Sequence, residues 1–133
     1  MENMSRYIYP KEELEKGFQF PIEFLEIVNQ EVILDLDPWW FLCEFEKFAK
    51  YWLFEMKKQY PTRNLIPFAK LSYSDDIVCF DGDDTSGDPK VFYVHTFASA
   101  GWEDRGYTDN FTEWLKIARI ESARYKAEQA NDD

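Results

Sequence analysis

Two runs rich in β-branched and aromatic residues, Ile77-Val78-Cys79-Phe80 and Val91-Phe92-Tyr93-Val94-His95-Thr96-Phe97, flank the segment Asp81-Gly82-Asp83-Asp84-Thr85-Ser86-Gly87-Asp88-Pro89. Runs of that kind suit a pleated, half-buried surface. The intervening segment is dense in residues that reverse the chain, so the two runs pair as an antiparallel hairpin. A hairpin needs further strands and a cover for its apolar face. Three further segments fill the strand role: Glu31-Val32-Ile33-Leu34-Asp35-Leu36, Leu65-Ile66-Pro67-Phe68-Ala69 and Trp102 to Tyr107. Pro67 lacks an N–H for a ladder bond and favours an edge position.

Helices supply the cover. Phe45, Phe48, Ala49, Trp52 and Met56 recur at one face of a 3.6-residue period between Cys43 and Tyr60. Glu46, Lys47, Lys50, Lys57 and Lys58 take the other side, and Pro61 ends the helix. Pro21 suits a helix start, followed by an apolar stripe of Ile22, Phe24, Leu25 and Val28. Lys11 to Lys16 forms a short helix stopped by Gly17. Asn110 with Glu113 three residues on is a capping box for a closing helix, which buries Phe111, Trp114, Leu115 and Ala118. After about Lys126 the chain frays. The fold class is α+β: one domain over 1–133, its core at about 18–118, with helices on a mainly antiparallel sheet.

The supply of core is ample, with 12 Phe, 8 Tyr and 5 Trp among 133 residues. No apolar run is long enough to span a membrane, and the N-terminal residues lack the pattern of a secretory signal. A cytoplasmic location follows as an expectation, with Cys43 and Cys79 both reduced. The net charge of −11 opposes binding to nucleic acid or anionic lipid. It favours a basic protein partner, or serves solubility alone.

In order and interval these segments resemble SUKH domains. Phe20-Pro21-Ile22-Glu23-Phe24-Leu25-Glu26-Ile27-Val28-Asn29 is similar to the opening helix of that family. Leu65-Ile66-Pro67-Phe68-Ala69 with Asp76-Ile77-Val78-Cys79-Phe80-Asp81 resembles its central strand pair, and Lys90 to Phe97 the next strand. Gly101 to Gly106 and Phe111-Thr112-Glu113-Trp114-Leu115 resemble its closing strand and helix. The resemblance spans about residues 18–118. It implies a protein-binding scaffold with no cofactor and no shared catalytic constellation. Many bacterial members are immunity proteins that neutralise a polymorphic toxin, often a nuclease, and fungal relatives regulate cell-wall synthesis.

Four groups of residues are candidate sites. Asp81, Asp83, Asp84 and Asp88 form the densest acidic cluster, although neither register of the loop matches a calcium-binding pattern. Glu103 and Asp104, beside Trp102 and Arg105, are the next. His95, the only histidine, could serve as base to a Cys79 or Cys43 thiol only if the two touched. Trp39 and Trp40 point to different sides of the chain, which leaves one for a partner. The leading expectation is a non-catalytic immunity-type binding module that presents Asp81, Asp83, Asp84, Asp88, Glu103, Asp104, Trp39 and Trp40 to a basic toxin domain, with no metal and no cofactor. A metal-assisted hydrolase built on the 81–88 turn, or a regulatory adaptor for an endogenous protein, are the alternatives.

Overall fold

A computed structural model describes residues 6–131. Its elements run α1 (Ile22–Val28), β1 (Trp39–Phe41), α2 (Glu46–Gln59), β2 (Leu65–Leu71), β3 (Asp76–Asp81), β4 (Val91–His95), β5 (Asp104–Thr108) and α3 (Phe111–Ala130). The strands form one antiparallel sheet in sequence order, β1-β2-β3-β4-β5. The α+β class with a closing C-terminal helix holds. The hairpin is present as expected, with Asp76 opposite His95 and Phe80 opposite Val91.

Strand alternation divides the sheet into two apolar faces. Phe41, Ala69, Val78, Phe80 and Val91 share one of them by register. On that face Phe24 of α1 and Phe111 and Trp114 of α3 close an aromatic cluster around Phe68 and Phe80, whose rings stack at 4.1 Å. The other face carries Trp40, Lys70, Ile77, Cys79 and Phe92, and α2 lies across it. There Lys70 sits over the Trp52 ring at 5.7 Å, and Trp40 packs edge-on to Phe48. The result is a sheet between α1 and α3 on one side and α2 on the other. Tyr9 ties the N-terminal segment to both α2 and β2, its hydroxyl lying 3.1 Å from the Ala49 carbonyl and 2.8 Å from that of Pro67.

Five local expectations are corrected. No strand forms over 31–36: Val32 faces solvent, and Leu36 makes only an isolated bridge to Trp39. The place beside β2 belongs instead to Trp39–Phe41. Pro67 is not on an edge strand. It sits at a register shift against β3, beyond the end of β1, where the ladder does not need its missing N–H. Ile22 leaves the α1 stripe for solvent, because Phe24 and Val28, one turn apart, already define the buried line. The face of α2 that packs down is Ala49, Trp52, Leu53 and Met56, rotated away from Phe45 and Phe48, which stay about half exposed. The closing helix runs on to Ala130, since Ala127, Glu128, Gln129 and Ala130 are helix formers and the Asn131 amide caps back onto Ala127. Of the tail expected to fray, Asp132 and Asp133 lie outside the described residues. Of the capping box the N-cap half forms: the Asn110 side chain accepts from the Glu113 amide at 2.9 Å, while the Glu113 carboxylate accepts from Lys116 at 3.0 Å.

The hairpin turn closes against the loop before β2. The Gly82 amide donates to the Asn64 carbonyl at 2.7 Å, and a Cβ at position 82 would lie 2.4 Å from Asn64 Oδ1 and 2.8 Å from that carbonyl. Gly82→Ala is expected to cost about 1–3 kcal/mol, the range for forcing extra volume into a packed place. A thermal melt checks it: an unchanged midpoint would show that the turn does not close on Asn64.

Candidate functional site

The acidic turn uses its own carboxylates. Asp81 Oδ1 accepts from the Asp83 amide at 3.0 Å, and Asp84 Oδ1 from the Ser86 amide at 3.0 Å, both side-chain-closed turns. The Asn64 side chain donates to Asp83 at 3.1 Å and the Asn110 side chain to Asp88 at 3.0 Å. Hydrogen bonds from the Ser86 side chain and amide hold the Asp84 carboxyl below its usual range. Among the described residues no group of three or more His, Cys, Asp or Glu is placed to hold a metal ion. Asp83 and Asp88 remain exposed, while Asp81 and Asp84 are half-buried.

Glu103 and Asp104 part company. The Glu103 carboxylate is buried, 2.7 Å from Arg63 Nη1 and accepting from the Gly101 amide at 2.7 Å. That removes it from any contact surface, a correction to its expected role. Burial alone would push its pKa up, but the guanidinium and the amide hydrogen bonds outweigh burial and hold it below the usual carboxylate value. Asp104 is exposed and accepts from the Gly106 amide at 3.0 Å. Trp39 is also withdrawn: it is 4% exposed, and its indole N–H donates to Glu121 at 2.9 Å. Trp40 is half-buried on the opposite face of the sheet.

His95 pairs with Asp76, Nδ1 to Oδ1 at 2.9 Å. Cys79 lies on the opposite face of the sheet, because Asp76 and Cys79 are three residues apart on one strand. No thiol–imidazole pair forms there. Burial pushes the Cys79 thiol up strongly, and burial with the Glu44 charge pushes Cys43 to about 12. Both thiols of the native protein should therefore ignore a thiol reagent at pH 8 and react only after denaturant is added. Fast reaction without denaturant would show that one of them opens to water.

What the spacing of residues did not foretell is an exposed aromatic surface along α2. Phe45, Phe48, Tyr51 and Phe54 are 51, 45, 45 and 61% exposed. Trp40, Phe45 and Phe48 form a mutual edge-to-face group with centroids 5.8–5.9 Å apart. Midway along the helix, Tyr51 meets Trp52 at 5.1 Å and Trp52 meets Phe97 at 6.0 Å. Phe97 follows β4 with φ of 66°, a left-handed conformation that costs a non-glycine residue on the order of 1–2 kcal/mol. It is held there by its amide, which donates to Gln59 Oε1 at 2.7 Å, while Gln59 is itself fixed by the buried Glu55 at 2.9 Å. The strained backbone presents a ring that is 61% exposed. The signal was available in part: Tyr51 and Phe54 add aromatics outside the stripe of Phe45, Phe48, Ala49, Trp52 and Met56.

No family model, curated protein or solved structure matches the chain. Among the described residues no helix is long and apolar enough to cross a membrane.

Proposed function

We propose that this chain is a non-catalytic protein-binding module whose contact face is the outer side of α2 together with Phe97. The observation that carries the reading is the succession of exposed aromatic rings along α2, Phe45, Phe48, Tyr51 and Phe54, with Phe97 joined to Tyr51 through Trp52. Scattered apolar residues on a surface mean little, but a contiguous aromatic patch is a feature of contact sites. The Glu55–Gln59–Phe97 chain of hydrogen bonds supports it further, since a backbone fixed before binding loses less entropy on docking.

The resemblance to SUKH domains supports the narrower reading of an immunity protein that masks a toxin. The net charge of −11 fits a basic partner drawn in from a distance, with association slowing as salt is raised. Asp83, Asp88 and Asp104, still exposed, would contribute to that field. A metal-assisted hydrolase on the 81–88 turn is disfavoured because those aspartates close and anchor the turn. The test is stoichiometric. Titrated into a toxin domain encoded by a neighbouring gene, the protein should abolish activity at one chain per toxin, with or without EDTA. Inhibition by a small fraction of an equivalent, or inhibition that EDTA removes, would favour catalysis.

A further inference from the structure

The outer side of α2 carries a charge opposite to that of the molecule. Its buried line is Ala49, Trp52, Leu53 and Met56, so the line pointing straight away from the sheet is Lys47, Tyr51, Phe54 and Lys58, at i, i+4, i+7 and i+11. All four are exposed. Three of the nearby carboxylates are already committed: Glu46 to Lys50 at 2.6 Å, Glu13 to Lys57 at 3.6 Å, and Glu55 to Gln59. Lys47 and Lys58 make no ion pair among the described residues. Two aromatic rings are therefore bracketed by two uncommitted ammonium groups, about 16 Å apart along the helix.

We infer that this stripe docks an apolar protein segment carrying a carboxylate at each end, in spite of the acidic net charge of the chain. The inference rests on the protein-binding reading and adds the chemistry of the partner's contact segment. Desolvation of Tyr51 and Phe54 supplies affinity, and the two ammonium groups set register and reject a basic segment. A second copy of the chain does not fit through the same stripe, because two-fold pairing would face lysine with lysine. Nucleic acid and anionic lipid fit less well, since two lysines do not offset a chain of net charge −11.

Two synthetic helical peptides of one leucine–phenylalanine pattern test this, one with glutamates and one with lysines at positions eleven residues apart. Each is titrated into the isotopically labelled full chain at low salt, and amide shifts are mapped. Net charge alone favours the lysine peptide. The inference requires the glutamate peptide to shift α2 resonances at Lys47, Tyr51, Phe54 and Lys58, binding there at least tenfold more tightly than the lysine peptide. It also requires the doubly substituted Lys47→Glu, Lys58→Glu protein, still folded by its dispersed spectrum, to reverse that preference. Equal binding of both peptides at α2, or a preference that survives the double substitution, overturns the inference and leaves the binding face standing. No shift at α2 with either peptide overturns the inference, and the proposed face with it.

Discussion

Trp114→Ala should lower the unfolding free energy by about 3–5 kcal/mol, the range for truncating a fully buried large aromatic. Trp114 is 0% exposed and meets Trp39, Phe41, Phe68 and Phe111 at centroid distances of 5.7, 6.4, 5.1 and 5.6 Å. It is the place where α3 is bound to β1 and β2. Among the described residues its indole N–H has no hydrogen-bond partner, so the loss on truncation is one of packing and cavity. The same orphan predicts a milder second variant. Trp114→Phe removes an unsatisfied buried donor, which returns part of what the smaller ring gives up, and should cost about 1–2 kcal/mol. Urea unfolding followed by far-UV circular dichroism measures both. An alanine variant within 1 kcal/mol of the parent would contradict the packing of α3 described above.

Arg63→Ala should cost about 2–3 kcal/mol at neutral pH, less than for a wholly buried pair because the Arg63 side chain is 22% exposed. Its removal leaves the Glu103 carboxylate buried with the Gly101 amide but without its cation, and forfeits the contact of Arg63 over the Phe92 ring at 5.0 Å. The pH dependence carries a definite sign. In the parent the folded-state pKa of Glu103 is depressed. Its contribution is therefore fully present above the unfolded value of about 4.3 and is lost as pH falls through the folded value. In the variant burial acts unopposed by the guanidinium and raises that pKa, so protonation relieves the variant as the medium is acidified. The stability gap between parent and variant should narrow from pH 7 to pH 4. A gap of the same size at both values would mean that the ion pair does not govern Glu103.

Much of the fold could be read before the structure, for identifiable reasons. The β3–β4 hairpin and α3 are marked by local chemistry: a turn crowded with Asp, Gly and Pro, and an Asn110 cap set against a buried Phe111–Trp114–Leu115–Ala118 line. Elements whose placement depends on neighbours were less legible. The 31–36 segment has strand-like residues, but the sheet position beside β2 is filled by Trp39–Phe41, and nothing within 31–36 announces that competition. Pro67 reads as an edge residue until a β-bulge and the short length of β1 are known.

The site was legible only in its parts. Charge density drew attention to Asp81, Asp83, Asp84, Asp88 and Glu103, yet local amides and Arg63 use several of these groups. That use follows from turn geometry and from a partner forty residues away, neither visible in composition. The aromatics of α2 fitted a buried stripe as well as an exposed one. Which it was depended on a rotation of the helix that the wider period 45–48–49–52–56 did not determine, because Trp52, Leu53 and Met56 satisfy the sheet by themselves. Phe97 could not have been singled out, since its left-handed backbone arises from Gln59 on another element.

The most direct test of the aromatic face is the affinity of a Tyr51→Ala, Phe54→Ala variant for the cognate partner, measured by isothermal titration beside a thermal melt. Both side chains are exposed, so the melt should stay within about 2 °C of the parent while affinity falls at least a hundredfold, about 2.7 kcal/mol. Undiminished affinity in that variant, together with its loss on replacing Asp83 and Asp88 by Asn, would place the contact on the hairpin turn and contradict the face proposed here.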